Sequence, residues 1–211
     1  MSNKIKNAIK SNTKAIVNAI DLSTGGLITQ VKTNFSNTYK GYLEEKISNL
    51  ILDLQSNSIR EEEILEYIEN MNNYDKEIVF AIIQKTINSE NKIKRFLLSK
   101  VWLYKIKNIN LDYFHSSLLS SLELFTERDF RMVYEISKIG VRKDDEITMD
   151  ISKLESYYQS TLQKLKSIGF INGGVIDGGS FDENEDNFYI FDYYLELEKI
   201  LIEFYEERDK S

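Results

Sequence analysis

The chain has 211 residues, no cysteine, no proline, one histidine and a formal net charge of −7. That length serves one large domain or two small ones, each able to bury a core. The missing cysteines exclude disulfides, zinc–thiolate centres, iron–sulfur clusters and cysteine nucleophiles, and the missing prolines suit a helix-rich fold.

The charge is unevenly placed. Residues 1–40 hold six lysines against Asp21, while the rest of the chain holds 21 basic and 33 acidic residues. A basic arm on an acidic body can meet nucleic acid or a membrane surface, or can dock on an acidic body of its own kind. Within 3–20, Ile5, Ala8, Ile9, Ile16, Ala19 and Ile20 follow helical spacing, and Lys4, Lys6, Lys10 and Lys14 fall mostly off that stripe. These four lysines are the candidate contacts to an anionic surface. They also interrupt the apolar run that a secretory signal requires, so the expected location is the cytoplasm. Ser23-Thr24-Gly25-Gly26 then breaks the helix.

From Leu27 to Leu124 the helical period recurs between short polar breaks. Leu43, Ile47, Leu50, Ile51 and Leu54 form the first stripe. Ser58-Ile59-Arg60-Glu61 has the pattern of a capping box for the second helix, with Ile64, Leu65, Ile68 and Met71 on one face. Asn72-Asn73 is a turn signal before Ile78, Val79, Ile82 and Ile83. Asn88 to Asn91 precede Phe96, Leu97, Val101, Leu103 and Tyr104. A last helix carries Tyr113, Phe114, Leu118, Leu119 and Leu122. Four or five amphipathic helices with short connections predict a helical array, without the fixed period of a solenoid.

Thr126 reads as an N-cap, with Asp129 three residues on, and Gly140 as a helix stop. Arg142 to Asp150 reads as polar loop, with a short strand at Glu146–Met149 as the alternative. Ser152 to Gly169 predicts a helix with Leu154, Tyr157, Tyr158, Thr161, Leu162, Leu165 and Ile168 on its buried face. Phe170-Ile171 and Val175-Ile176, interrupted by Gly173-Gly174, read as one strand and Asn187–Tyr193 as a second, around an acidic tip, Gly178–Asp186, with Tyr194–Arg208 as a closing helix. Helix followed by hairpin is the second half of a winged-helix module. The fold expected is mainly α, with a basic arm at 1–26, a helical array at 27–124 and a winged-helix-like module with a β-hairpin at 125–211.

No motif commits the chain to a reaction, and no cofactor, metal or catalytic residue is expected. His115 lies in a helical segment beside Phe114 and reads as structural, because general acid–base work needs a positioned partner. Asp182, Asn184 and Asp186 match the first positions of a calcium-binding EF-hand loop, but Asn187 replaces its turn glycine and Tyr193 its bidentate glutamate. In a DNA-reading winged helix, the helix before the wing carries basic and amide side chains. Lys153, Lys164, Lys166, Gln159 and Gln163 fit that role weakly, and an acidic wing opposes phosphate. The candidate partner-binding residues are therefore Tyr157, Tyr158, Lys164, Lys166, Tyr193 and Tyr194.

Two stretches, Ser121-Leu122-Glu123-Leu124-Phe125-Thr126-Glu127-Arg128-Asp129 and Leu162-Gln163-Lys164-Leu165-Lys166-Ser167-Ile168-Gly169-Phe170-Ile171, resemble the bacterial Abi-alpha-like proteins of phage abortive infection and mobile elements. The resemblance covers about residues 27–171, and the N-terminal segment here is less apolar than is usual in such proteins. It implies a helical array with a winged-helix-like end and no catalytic residues. The function expected is a non-enzymatic protein-interaction or regulatory protein of a phage-defence, prophage or mobile-element system, acting on a protein partner or by self-association. A winged-helix DNA-binding regulator and a membrane-surface protein held by residues 3–20 stay open as alternatives.

Overall fold

A computed structural model describes residues 14–23, 25–26, 28–29, 37–109, 112–150, 157–173 and 185–208. Lys4, Lys6, Lys10, the cap expected at Ser152, Lys153 and the wing tip up to Asn184 lie outside them. The described protein is mainly helical, with a small four-stranded antiparallel sheet. It divides into two compact units, Met1–Asp112 and Tyr113–Ser211. The division falls before the 124/125 boundary expected from the sequence. The cause is the helix Asp112–Ser121, whose Phe114 is fully buried and stacks on Phe170 at 5.9 Å within the second unit.

The first unit is helical. Helix α1, residues 14–23, buries Ile16 and Ile20 completely and ends at Gly25 and Gly26, both at positive φ. There the Gly26 amide donates to the Asp21 carbonyl at 2.7 Å. Helices α2 (Asn37–Gln55), α3 (Glu61–Asn70), α4 (Asn73–Asn88) and α5 (Lys92–Ile106) follow. Helix α2 packs on α4 and α5, and α3 packs on α5. The apolar stripes expected from the sequence form this core: Leu43, Ile47, Leu50, Ile51 and Leu54 meet Val79, Ile82, Ile83, Leu97, Val101 and Trp102, all buried. Asn72 and Asn91 cap α4 and α5, each through its side-chain oxygen. The expected cap at Ser58 is not one. Ser58 stands at φ 61° in the turn closing α2, Ile59 is buried, and α3 starts at Glu61 with the Glu63 carboxylate accepting from the Arg60 amide.

The second unit opens with α6 (Asp112–Ser121) and α7 (Glu127–Ile139). Two local devices start α7. Thr126 and Asp129 form the capping box, and Phe125, just before the cap, stacks on Phe130 with ring centroids 5.5 Å apart, a hydrophobic staple. Gly140 ends the helix at φ −69°, so its backbone needs no glycine. Space does: a Cβ there would lie 2.7 Å from Ile147 Cγ2 and 2.8 Å from the Ile136 carbonyl oxygen.

Arg142 to Asp150, expected as loop with a strand at Glu146–Met149 as the alternative, carries that strand: β1 (Val141–Lys143) and β2 (Glu146–Asp150) form a hairpin turned by Asp144 at φ 53°. Alternation decided it: Ile147 and Met149 are buried on either side of Thr148. Helix α8 (Tyr158–Ser167) leads to β3 (Ile171–Gly173), β4 (Glu185–Ile190) and α9 (Asp192–Arg208). Gly169, at φ 74°, ends the α8 turn as its position predicts. The last strand runs earlier than Asn187–Tyr193, so Glu185 and Asp186 are strand residues rather than tip, and α9 begins at Asp192. The sheet order is β1-β2-β4-β3. Its inner face carries the Ile147–Phe188 and Ile171–Ile190 pairs, all buried, and its outer face carries Val141 and Tyr189, both exposed.

Candidate functional site

Two buried carboxylates, both in the second unit, organise its polar interior. Asp129, 3 % exposed, is drawn inward by the capping box it completes. Its Oδ2 accepts from the Thr126 amide at 2.6 Å, the Thr126 hydroxyl at 2.7 Å and Lys164 Nζ at 2.6 Å, and its Oδ1 accepts from the Thr161 hydroxyl at 2.8 Å. Thr161 and Lys164 lie one turn apart on α8, so one carboxylate fixes α8 against the start of α7. Burial alone would raise the Asp129 pKa. The hydrogen bonds from Lys164, Thr126 and Thr161 outweigh it and hold the group below the usual aspartate range.

Glu198 is 6 % exposed, on the buried stripe of α9 with Tyr194, Leu197 and Leu201. Its Oε2 accepts from Arg142 Nη2 at 2.6 Å. Arg142 lies opposite Ile147 in the hairpin and so shares the inner face of the sheet. The other oxygen, Oε1, has no hydrogen-bond partner in the structure, and neither has the hydroxyl of the fully buried Tyr194. Burial, then the charge on Glu198, push the Tyr194 phenol above the usual tyrosine range, with Arg142 opposing. Glu198 and Arg142 line a cleft of about 250 Å³ together with Ile136, Ser137, Gly140, Ile147 and Ile202.

The residues singled out in the sequence fall differently. Lys164 points inward to Asp129, and Tyr158 and Tyr194 are buried. Tyr157 is half-buried with the Arg128 guanidinium 4.6 Å from its ring centre, a cation–π contact. Tyr193 is half-buried against Phe170, 6.1 Å away. Lys166 is exposed, on a face of α8 that also shows Gln159, Ser160, Gln163 and Ser167. The structure therefore does not gather the six partner-binding candidates into one surface. Lys14 is exposed on α1. His115 is fully buried, its ring edge-on to Phe114 at 6.0 Å. The EF-hand-like tip lies largely outside the described residues. Among those residues no group of three or more His, Asp or Glu side chains is placed to hold a metal ion, and no helix is long and apolar enough to cross a membrane.

Arg142 and Glu198 were missed in the sequence because they are 56 residues apart and join only through the sheet. One local signal pointed to Glu198: it is an acid inside the stripe Tyr194, Leu197, Leu201, at the i+4 position from Tyr194. Fold and site together define a mainly helical protein with a small antiparallel sheet and a polar cleft in its second unit. Comparison with protein-family models, with curated proteins and with solved structures gave no match.

Proposed function

We propose that the chain is a non-enzymatic protein-interaction or regulatory protein whose second unit is a winged-helix-like module working by protein contact. The observation that carries this is charge. Residues 113–211 hold 11 basic and 21 acidic side chains, a net −10. Affinity for a duplex comes mainly from basic side chains that neutralise phosphates, and this unit has the opposite sign. An acidic surface instead steers and selects basic protein partners. The winged-helix reading is supported by the succession α7, hairpin, α8, β3, β4, in which β2 pairs with β4 and β4 with β3. A role in phage defence, a prophage or a mobile element rests on the sequence resemblance at Ser121–Asp129 and Leu162–Ile171.

A second reading, a DNA-binding regulator, is favoured by one observation. The exposed face of α8 presents Gln159, Ser160, Gln163, Lys166 and Ser167 and no acid. Two experiments on the full chain separate the readings. Anisotropy titration of a labelled duplex in about 50 mM salt is expected to show no saturable binding. A photo-crosslinking residue in place of the exposed Tyr189, introduced in cells, is expected to give one reproducible protein adduct. Saturable duplex binding with a steep salt dependence, weakened by Lys166→Ala, would overturn the protein-contact reading in favour of the second.

A further inference from the structure

We propose that the outer face of the sheet at Tyr189 and Phe191 docks an arginine-bearing segment of a protein partner, an assignment that rests on the protein-contact reading and names its surface. The two rings are the first observation. Tyr189 is 55 % exposed and Phe191 is 44 % exposed, while Ile190 between them is buried. Side chains alternate across an extended chain, so both rings stand opposite Ile190. The chain stays paired as far as Phe191, whose amide donates to the Phe170 carbonyl at 3.1 Å. Aromatic rings two residues apart in water are what the centre of an interface buries.

The second observation is the charge around the rings. Glu146 lies opposite Tyr189 on β2. The Ile190 amide donates to the Asp145 carbonyl at 2.8 Å, which sets the exposed Asp144-Asp145 turn beside this stretch. Asp192, also exposed, follows Phe191. None of these four carboxylates makes an ion pair or a side-chain hydrogen bond among the described residues. Of the two bases on the same hairpin, Arg142 is engaged by Glu198, which leaves Lys143 against four acids. The surplus is complementary to a cation and repels the phosphates of a duplex. An arginine fits both observations at once, because its guanidinium lies flat on an aromatic ring while its N–H fork reaches carboxylates. An ammonium offers a point charge and no plane to stack.

The probe is a capped peptide of alternating arginine and glycine, with lysine and citrulline versions as the equal-charge and neutral counterparts. Each is titrated into the full-length protein while the backbone amide NMR signals of Asp145, Tyr189 and Phe191 are followed. Saturable shifts at those amides are expected with the arginine peptide, about threefold or more weaker binding with lysine, and none with citrulline. The double variant Tyr189→Ser, Phe191→Ser, altered only at exposed side chains, is expected to lose about tenfold or more in affinity for the arginine peptide. Asp145→Asn is expected to lose less and to flatten the salt dependence. No saturable shift, equal binding of the arginine and lysine peptides, or full binding by the folded double variant would overturn the proposal. So would a concentration-dependent dimer in sedimentation that the double variant abolishes, because the face would then belong to a second copy. A protein adduct from position 189 in cells without arginine-specific peptide binding overturns this assignment and leaves the protein-contact reading standing, whereas saturable duplex binding overturns that reading itself.

Discussion

The second unit contains two buried carboxylates of nearly equal burial and opposite character. Asp129 accepts from every donor within reach: a backbone amide, two hydroxyls and an ammonium. Glu198 is held by one guanidinium, and its other oxygen is buried without a hydrogen-bond partner. Saturation separates them. A carboxylate whose acceptor sites are filled from neighbouring elements is a fastener, and its removal strands the groups it held. A carboxylate left half-filled contributes less to the fold, because its unpaired oxygen carries a desolvation cost that no hydrogen bond offsets.

The largest effect is expected from breaking the fastener. Asp129→Ala leaves Lys164 without its partner and removes the capping box, so urea unfolding is expected to show a loss of about 3–5 kcal/mol. The same group sharpens the comparison through pH. Because its folded pKa is depressed, its contribution is complete above the unfolded value of about 3.9 and is lost as pH falls through the lower folded value. Unfolding curves of wild type and Asp129→Asn are therefore expected to converge below about pH 4, and a gap that stays constant into acid would contradict this.

Gly140→Ala comes next, at about 1–3 kcal/mol, because the added methyl meets backbone as well as Ile147. It is also expected to shrink the cleft. Thr161→Val removes one hydroxyl from Asp129 and leaves the other three donors, so about 1 kcal/mol is expected in the same measurement. Lys166→Ala, on the exposed face of α8, is expected to stay within about 0.5 kcal/mol of wild type.

What the sequence made legible follows the range of the interactions. The helical array of the first unit rests on stripes at i, i+3 and i+4, and Leu43–Leu54 and Ile78–Ile83 went where that spacing put them. The Thr126–Asp129 cap was visible for the same reason, being three residues wide. The fastener it belongs to was not, because Thr161 and Lys164 reach Asp129 from another helix. Lys164 illustrates the cost. As an isolated basic side chain on a helix before a hairpin it read as a contact for a partner, and its ammonium is used inside the fold. Strand limits slipped where an alternating pattern ran on past the sheet: Tyr189, Phe191 and Tyr193 continue the period, but pairing stops at Ile190 and α9 takes over at Asp192. The cleft was illegible because Arg142 stands in a segment read first as polar loop and meets Glu198, 56 residues on in the closing helix, only through the folded sheet.

The most direct test of the contrast is urea unfolding of Asp129→Asn and Glu198→Gln measured side by side with wild type at neutral pH. Arg142 is partly open to solvent, which screens its pair with Glu198, so Glu198→Gln is expected to cost no more than about 1 kcal/mol. Asp129→Asn, which removes the charge opposite Lys164 in the saturated cluster, is expected to cost about 3 kcal/mol or more. Equal losses, or a larger loss for Glu198→Gln, would contradict the division between the saturated and the half-filled carboxylate.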